Sequence, residues 1–535
     1  NPSMEAYCQV MLNHLESWIA DQGLDIDIIV AKPSMASSFH YQTIGRGVLP
    51  VFVEQSDRTC SVDWKITPQK RALKRVIEEC QNPASIVMLS GTRFEESTSR
   101  RLNMIARSDG PTNLVETDGG ILQNAPIADF DLSDVWELLM SVDSKRTNGG
   151  LYSTFVEDFD WCLEIYRDSA DGVCAVITGD NGPRAACGSR HGCWNCLASG
   201  ASDKSMTSMI NQNPDAYSYL SGINNLRNYM HETRFDFTKR DWIGRKLSSA
   251  NHIAIAPNNY APHMRRELLR YMLTLDVLEI ERAEDHDAAI ARGEIEPTWQ
   301  NQMLAGPMFE LITPAQLVAI DMLWSTQYGF HDAFPALREW YEIRVLGKRY
   351  QMPEIEPGEP KKIPAKRYVE VGAYTDSEGV TGLRDIECEV LNQENYPGEY
   401  PFKVYQDGDQ LRRVVPFEES PEFTVDTIES NLLVTDDEAL TDLIWQSNGL
   451  SSTASAKFWL DRKFVKPAKG RIRDFDHRAR KSQFWREFYA QSDAIDLVQH
   501  LKDISISEKE HAALIAELSQ QSKAAIQPQY DLFAA

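Results

Sequence analysis

Ser85-Ile86-Val87-Met88-Leu89-Ser90-Gly91-Thr92-Arg93-Phe94-Glu95-Glu96-Ser97-Thr98-Ser99-Arg100 is the stretch on which the fold turns. Its first half is a short unbroken apolar run, the pattern of a strand buried in a parallel sheet. Gly91 ends the run, and a helix opens from about Glu96. A strand passing through a turn into a helix belongs to an alternating α/β layout. Open sheets of that kind bind nucleotides at the carboxyl ends of their strands.

The flanking sequence continues the alternation. Residues 2–22 place Met4, Tyr7, Met11, Leu15, Trp18 and Ile19 on one helical face, and Gly23 can end that helix. Ile26-Asp-Ile-Ile-Val30 reads as a strand, and Pro68 to Cys80 as a second helix. Downstream, Asn113–Glu116 reads as a strand and Leu132 to Val142 as a helix with Ser133 as its cap. Residues 1–150 are therefore expected to form an α/β, doubly wound parallel-sheet nucleotide domain. Residues 151–350 read as a helical, Cys-rich region with a loop from about 175 to 200. Its best helices run from Arg265 to Leu278, Pro314 to Tyr328 and Ala336 to Leu346. Residues 351–366 carry the clearest linker, rich in Pro, Glu and Lys. Residues 367–535 read as a C-terminal α+β extension, with strand-like runs at Tyr368–Val371 and Phe402–Tyr405. There is no internal repeat.

A chain of 535 residues is too long for one core, so about two to four domains are expected. With 42% hydrophobic and 25% charged residues, a disordered or fibrous chain is excluded. No apolar run approaches the ~18 residues of a membrane span, and the N-terminus lacks a signal-peptide layout, so a cytoplasmic protein is expected. Asn1 followed by Pro2 reads as a trimmed start. The net charge of −24 means that nucleic acid is not bound through the overall field.

Nine cysteines are present: Cys8, Cys60, Cys80, Cys162, Cys174, Cys187, Cys193, Cys196 and Cys388. A disulfide framework suits small exported domains, not this chain. Cys187-x5-Cys193-x2-Cys196 puts three thiols within ten residues. The C-x2-C step lets two thiolates reach one metal ion or cluster. Cys174, Cys60 and Cys162 are candidates for a fourth ligand. Four thiolates suit Zn²⁺ or a [4Fe–4S] cluster equally on spacing. A zinc knot usually offers two paired motifs, and one pair with stragglers tilts toward iron–sulfur. Cys8, Cys80, Cys162 and Cys388, taken singly, read as inert buried or surface thiols.

At this point several stretches together resemble the PAPS-reductase-like ATP pyrophosphatases, specifically the DndC-type proteins of DNA phosphorothioate modification. Thr59-Cys60-Ser-Val-Asp-Trp-Lys65-Ile-Thr-Pro68 is similar to that superfamily's Cys-x4-Lys-x2-Pro element. Ser90-Gly91-Thr92-Arg93-Phe-Glu-Glu96-Ser97-Thr-Ser-Arg100 is similar to its G-x-R-x-x-E-S-x-x-R element. Pro126-Ile-Ala-Asp129-Phe-Asp-Leu-Ser-Asp134-Val-Trp136 resembles the segment shaping the substrate side. Leu163–Ala170 and Gly172-Val-Cys174 resemble the stretch before the cysteine loop. Gly192-Cys193-Trp194-Asn195-Cys196 followed by Asp203-Lys204-Ser205-Met206 is the most specific match. The resemblance covers roughly residues 1–350. The superfamily's phosphate loop, Ser-Gly-Gly-x-Asp-Ser, is absent from this sequence, and neither Gly179–Gly182 nor Ser447–Ser451 replaces it.

The resemblance implies cleavage of ATP to AMP and pyrophosphate with Mg²⁺, activating a DNA phosphate for sulfur substitution. It implies a cysteine desulfurase as sulfur donor and other subunits of a DNA-modification complex as partners. It implies a cluster held by four of Cys60, Cys174, Cys187, Cys193 and Cys196, with Cys60, Cys174, Cys193 and Cys196 the favoured set. It places Arg93, Glu96 and Arg100 in the catalytic group. Gly91, Thr92, Ser97, Lys65 and Gly45 fall on the nucleotide side. Without the resemblance, Arg93–Arg100 also reads as a surface helix with ordinary ion pairs, and Lys65 as a solvated lysine. Gly45-Arg46-Gly47 brings backbone close to a nucleotide or is a plain turn. His40, His191 and His252 read as structural or exposed, and Trp136 as core.

The span Asp461–Phe488 is locally basic, with Arg462, Lys463, Lys466, Lys469, Arg471, Arg473, Arg478, Arg480, Lys481 and Arg486. Phe475, Phe484 and Trp485 are interleaved, so the span reads as a DNA or partner contact, or as a solvated face. Two further functional readings remain. One is a non-catalytic, metal-stabilised scaffold in a modification or defence complex, which the missing loop favours. The other is a sulfonucleotide reductase, which the absence of a C-terminal cysteine disfavours.

Overall fold

Pro2–Gln22 is a helix because both of its ends are specified locally. The Asn1 side chain accepts from the Ser3 amide at the start, and Gly23 closes the last turn at φ 62. Only a residue without a Cβ takes that left-handed conformation at no cost. The computed structural model describes residues 1–50, 59–80, 82, 85–117, 121–142, 155–170, 193–197, 203–327, 329–356, 359, 361–370, 403–407, 410–414, 417–419, 422–468, 471, 475, 499 and 502–531. These form a mixed α/β protein of two compact units, and the chain passes between them more than once.

The first unit comprises Asn1–Pro33, Arg58–Trp194 and Ser202–Asn224. Its sheet has strands β1 (Val87–Leu89), β2 (Val115–Glu116) and β3 (Leu122–Asn124) in the order β1-β3-β2. β1 and β3 are parallel, with Val87 opposite Leu122, and β2 runs antiparallel to β3. The helix Thr98–Arg107 lies in the connection between the parallel strands, as the quoted stretch predicts. Phe94 packs on Met104, Ala125 and Ala128 beside this sheet. The helix Thr67–Glu79 matches the expected second helix. The helix Asp160–Asp168 sets Trp161 edge-on to Tyr7, with ring centroids 5.1 Å apart.

Three expectations need correction here. Ile26–Val30 is not a strand; Ile26, Ile29 and Val30 are each more than half exposed and no described strand pairs with them. Among the described residues β1 is an edge rather than a buried centre, with Val87 44% and Leu89 69% exposed. An apolar run fixes strand character, whereas burial depends on which neighbours arrive. The helix Leu132–Met140 is capped by Asp131, not Ser133. Asp131 and Asp134 exchange backbone and carboxylate bonds in a capping box.

The second unit comprises Ser34–Asp57, Asn195–Ala201 and Asn225–Ala535. One sheet orders β12 (Ile506–Ser507), β6 (Arg367–Glu370), β5 (His252–Tyr260) and β4 (Arg240–Leu247), all antiparallel. β6 lies beyond the expected linker and β5 before it, so the residues on either side of 351–366 share one sheet. A second sheet orders β11 (Val465–Pro467), β10 (Phe423–Asp426) and β9 (Phe417–Glu419), and β7 (Lys403–Asp407) pairs with β8 (Gln410–Val414). The helices Pro262–Ala291, Pro314–Ser325 and Pro335–Arg344 each start at a proline. At a first-turn position the missing N–H costs nothing.

The core of this unit is aromatic. Trp324 stacks on Phe330 at 4.2 Å, and Phe334, Phe458, Trp459 and Phe464 meet edge-on or stacked. Asp321, fully buried on Pro314–Ser325, accepts from Trp459 Nε1, Ser325 Oγ and the Ala336 and Leu337 amides. It thereby satisfies the orphan donors of the helix Pro335–Arg344. Asp276 does the same for the amides of Leu311 and Ile312. Residues 34–48 also belong to this core. The Ile44 carbonyl accepts from Trp324 Nε1 at 2.8 Å, and Tyr41 donates to Glu422 at 2.9 Å. No helix among the described residues is long and apolar enough to cross a membrane.

Candidate functional site

The loop from Ser90 to Ser97 leaves the carboxyl end of β1 and enters the helix Thr98–Arg107. Its shape is held by four bonds. The Ser90 amide donates to Asn124 and the Phe94 amide to Ala128, each at 2.9 Å. Glu95 accepts from the Leu132 amide at 3.0 Å, which ties the loop to the start of the helix Leu132–Met140. Ser97 caps its own helix by accepting from the Arg100 amide.

Within this frame Arg93, Glu96 and Arg100 converge. Glu96 pairs with Arg100, and Arg93 Nε lies 3.9 Å from Glu96. One carboxylate therefore faces two guanidinium groups, leaving a local charge of +1. One terminal nitrogen of Arg93 is buried with no hydrogen-bond partner. Ser90 and Thr92 place two hydroxyls 3.0 Å apart at the strand exit. A Cβ added to Gly91 would meet only Ile127, at 3.9 Å, an ordinary contact, so packing does not demand glycine there. The elements are those of an anion site: a helix N-terminus, an unpartnered guanidinium donor and two hydroxyls.

The other residues singled out from sequence fall in several places. Lys65 is exposed, in a π-turn at Val62–Ile66 between the short helix Thr59–Ser61 and Thr67–Glu79. Gly45 is not available to a nucleotide. A Cβ there would lie 2.6 Å from Leu323, and the Gly45 carbonyl already accepts from Arg265 and Gln327. Its small size serves packing against the helix Pro314–Ser325. Trp136 is core, edge-on to Tyr166 at 5.1 Å. His252 is buried, with Nδ1 against the Ala250 carbonyl, and burial pushes the His40 imidazole down to about 4.

Of the five cysteines expected at a metal, Cys174 and Cys187 lie outside the described residues, as do His191 and most of 461–488. Cys60 is half-buried in the helix Thr59–Ser61, Cys193 is exposed, and Cys196 is half-buried. Cys193 and Cys196 flank a turn at Trp194-Asn195. Among the described residues no group of three or more His, Cys, Asp or Glu side chains is gathered for a metal ion. Of the expected set, the described residues bring Cys193 and Cys196 to one turn and gather no third ligand beside them. Cys162 is buried beside Tyr7, and burial raises both its thiol and that phenol above their ordinary values. A thiol held protonated makes a poor ligand, so Cys162 reads as structural. In the basic segment, Phe475 is 1% exposed and packs near Phe423, so this ring is core rather than a platform for a base.

Sequence reasoning missed Glu95, Asp131 and Arg227. The Asp131-x-x-Asp134 spacing is a capping signal that was open to reading. Nothing local marks Arg227, whose Nε donates to the Cys196 carbonyl at 3.0 Å. No family model, no curated protein and no solved structure matches this chain.

Proposed function

We propose that this protein acts in ATP-dependent sulfur transfer to the DNA backbone, converting ATP to AMP and pyrophosphate. The observation that carries this is the convergence of Arg93, Glu96 and Arg100 at the carboxyl end of β1, with an unpartnered Arg93 nitrogen beside the start of a helix. On this reading β1, the helix Thr98–Arg107 and β3 are part of a doubly wound nucleotide-binding sheet.

The chemistry is activation. A DNA phosphate oxygen attacks the α-phosphorus of ATP, and pyrophosphate leaves. The outer sulfur of a persulfide delivered by a cysteine desulfurase then attacks the activated DNA phosphorus and displaces AMP, which carries the former DNA oxygen away. A free thiol attacks the carrier's own sulfur in the resulting phosphorus-bound disulfide, so that the phosphorothioate leaves and the carrier ends as a disulfide with that thiol. Arg93 and Arg100 hold phosphate oxygens and offset the charge that grows on the leaving pyrophosphate, with Mg²⁺ supplied alongside ATP. Glu96 orients both guanidinium groups. Ser97 fixes the helix start, and Ser90 and Thr92 donate to phosphate. Gly91 lets backbone approach. Cys193 and Cys196, with two of Cys60, Cys174 and Cys187 completing the four, would hold a [4Fe–4S] cluster or zinc; such a centre would supply structural bracing or sulfur chemistry.

The test is direct binding of ATP, AMP and pyrophosphate by this chain with Mg²⁺, together with iron, zinc and sulfide analysis of anaerobically purified protein. Binding that is lost in Arg93→Gln and Arg100→Gln supports the reading. A chain that binds no nucleotide and no pyrophosphate, yet holds metal, supports instead the reading of a non-catalytic scaffold. Colourless protein with stoichiometric zinc removes the cluster from the proposal.

A further inference from the structure

The helix Thr67–Glu79 carries a charge layout that works against its own stability. At 3.6 residues per turn, Lys70, Arg71, Lys74 and Arg75 fall within about 140° of one face. All four are exposed, as is Lys65 in the turn before the helix. Ala72, Leu73, Val76 and Ile77 take the opposite side and are half-buried, so the apolar side is the covered one. Lys70 and Lys74, and likewise Arg71 and Arg75, are like charges four apart, a spacing at which they repel and weaken a helix. The last turn holds Glu78 and Glu79 and no basic residue, which opposes the helix dipole. Among the described residues the one ion pair on this face joins Lys74 to Glu78 at 3.6 Å, both ends in water, where such a pair contributes little. Between residues 60 and 107 nine Lys and Arg stand against five Asp and Glu, in a chain whose net charge is −24. A basic face that weakens its own helix is accounted for by a polyanion outside it.

We propose that the helix Thr67–Glu79 is the contact surface for a nucleic-acid duplex, held by its phosphodiester backbone. The four cations span about 7.5 Å of helix axis. A duplex carries one negative charge per ~1.7 Å of its own axis, or about four over that length. Charge and spacing match without any base contact, so the surface positions a duplex and does not read its sequence. An anionic membrane is the poorer fit. An amphipathic helix binds lipid by burying its apolar face, and here that face is turned to the protein. The surface gives the proposed sulfur transfer a place to hold its substrate. The choice of DNA over RNA rests on that reading, whereas the duplex contact rests on the helix.

The experiment follows the anisotropy of a short labelled DNA duplex titrated with the full chain between about 50 and 200 mM KCl. Four phosphate contacts give a log–log salt slope of about −3.6, an affinity loss of roughly a hundredfold over that range. Lys70→Gln with Arg71→Gln, and separately Lys74→Gln with Arg75→Gln, should each bring the slope to about −1.8 and weaken binding alike on any sequence. Lys361→Gln with Lys362→Gln, at exposed positions far along the chain, makes the same change in net charge and should leave the slope where it was. Each helix variant relieves both like-charge rows, so neither should melt appreciably below the wild type. A slope that the helix variants do not move, or that the Lys361 and Lys362 variant moves as much, overturns the inference. So does a wild type that binds no duplex. Binding to phosphatidylserine vesicles that the helix variants abolish, without duplex binding, assigns the face to a membrane and overturns it as well. An RNA duplex held as tightly as DNA supports the backbone contact. ATP and pyrophosphate binding by the same proteins keeps the two readings apart. Helix-dependent duplex binding without nucleotide binding retains this surface and removes the ATP chemistry, and nucleotide binding with no helix-dependent duplex binding does the reverse.

Discussion

Asp321 offers the sharpest test of how this fold is held. Its carboxylate is fully buried and receives four donors: Trp459 Nε1 at 2.7 Å, Ser325 Oγ at 3.2 Å, and the Ala336 and Leu337 amides at 2.9 and 3.0 Å. Those bonds favour the charged form, whereas burial opposes it. Burial wins, and the group is pushed up to about 6 from 3.8. The native state therefore holds the proton more tightly than the unfolded chain. The associated stability is fully present below the unfolded value and is lost as pH rises through the folded one. The shift corresponds to roughly 3 kcal/mol in full, of which about 1.4 kcal/mol is lost between about pH 5 and about pH 7.5.

Asp321→Asn removes the titration but turns an NH₂ group toward two donors of one former oxygen. The variant should be destabilised by about 2–4 kcal/mol at acid pH, where the wild-type carboxyl is protonated and well placed. That gap should narrow by about 1.4 kcal/mol on going to about pH 7.5. Urea denaturation of both proteins across this range, followed by far-UV circular dichroism, measures it. A gap that does not change with pH, or that widens toward neutrality, refutes the claim that burial outweighs the four bonds.

Three other outcomes are expected. Arg93→Gln should weaken pyrophosphate and ATP binding at least about tenfold. Calorimetric titration reads this, and the urea midpoint should stay within about 0.5 kcal/mol of the wild type. Gly45→Ala would put a Cβ 2.6 Å from Leu323 Cδ1 and should cost about 1–3 kcal/mol in the same denaturation assay. His511 stacks on Tyr368 at 3.6 Å, bonds Ser248 through Nε2 and lies 5.5 Å from His252. Burial first, then His252 and Lys366, hold its imidazole below the ordinary value, while Glu508 opposes them. Its neutral form is thus favoured in the fold, and that stability is lost as pH falls below about 6.5. Hydrogen exchange of residues 502–515 should rise over the intrinsic rate on acidification, and His511→Phe should remove the pH dependence.

The helix Pro2–Gln22 and the proline starts of Pro262–Ala291, Pro314–Ser325 and Pro335–Arg344 were legible because a cap or a first-turn proline acts within a few residues. The same locality made Ser90–Arg100 readable as a strand, a turn and a helix. It also placed Arg93, Glu96 and Arg100, spaced three and four apart, within reach of one another. The C-x2-C turn was legible for that reason too. Burial and partnership were not. Nothing within β1 says that Val87 and Leu89 lie at a sheet edge, since a strand's exposure is set by whichever strand comes to lie beside it. Residues 34–48 read as part of a nucleotide domain, yet Gly45 packs on the helix Pro314–Ser325, and the Ile44 and Gly45 carbonyl oxygens accept from Trp324 on that helix and from Arg265 on Pro262–Ala291. Phe475 looked like a ring for a nucleic-acid base until the core closed over it. Arg227 meets Cys196 across 31 residues of chain. The sequence by itself determined the helix starts and the spacing of its charged and thiol side chains, because those depend on neighbours a turn away, whereas strand pairing, as at Ile26–Val30, did not follow from it. Only the tertiary structure decided which of them are buried, because burial is a sum over contacts from the whole chain.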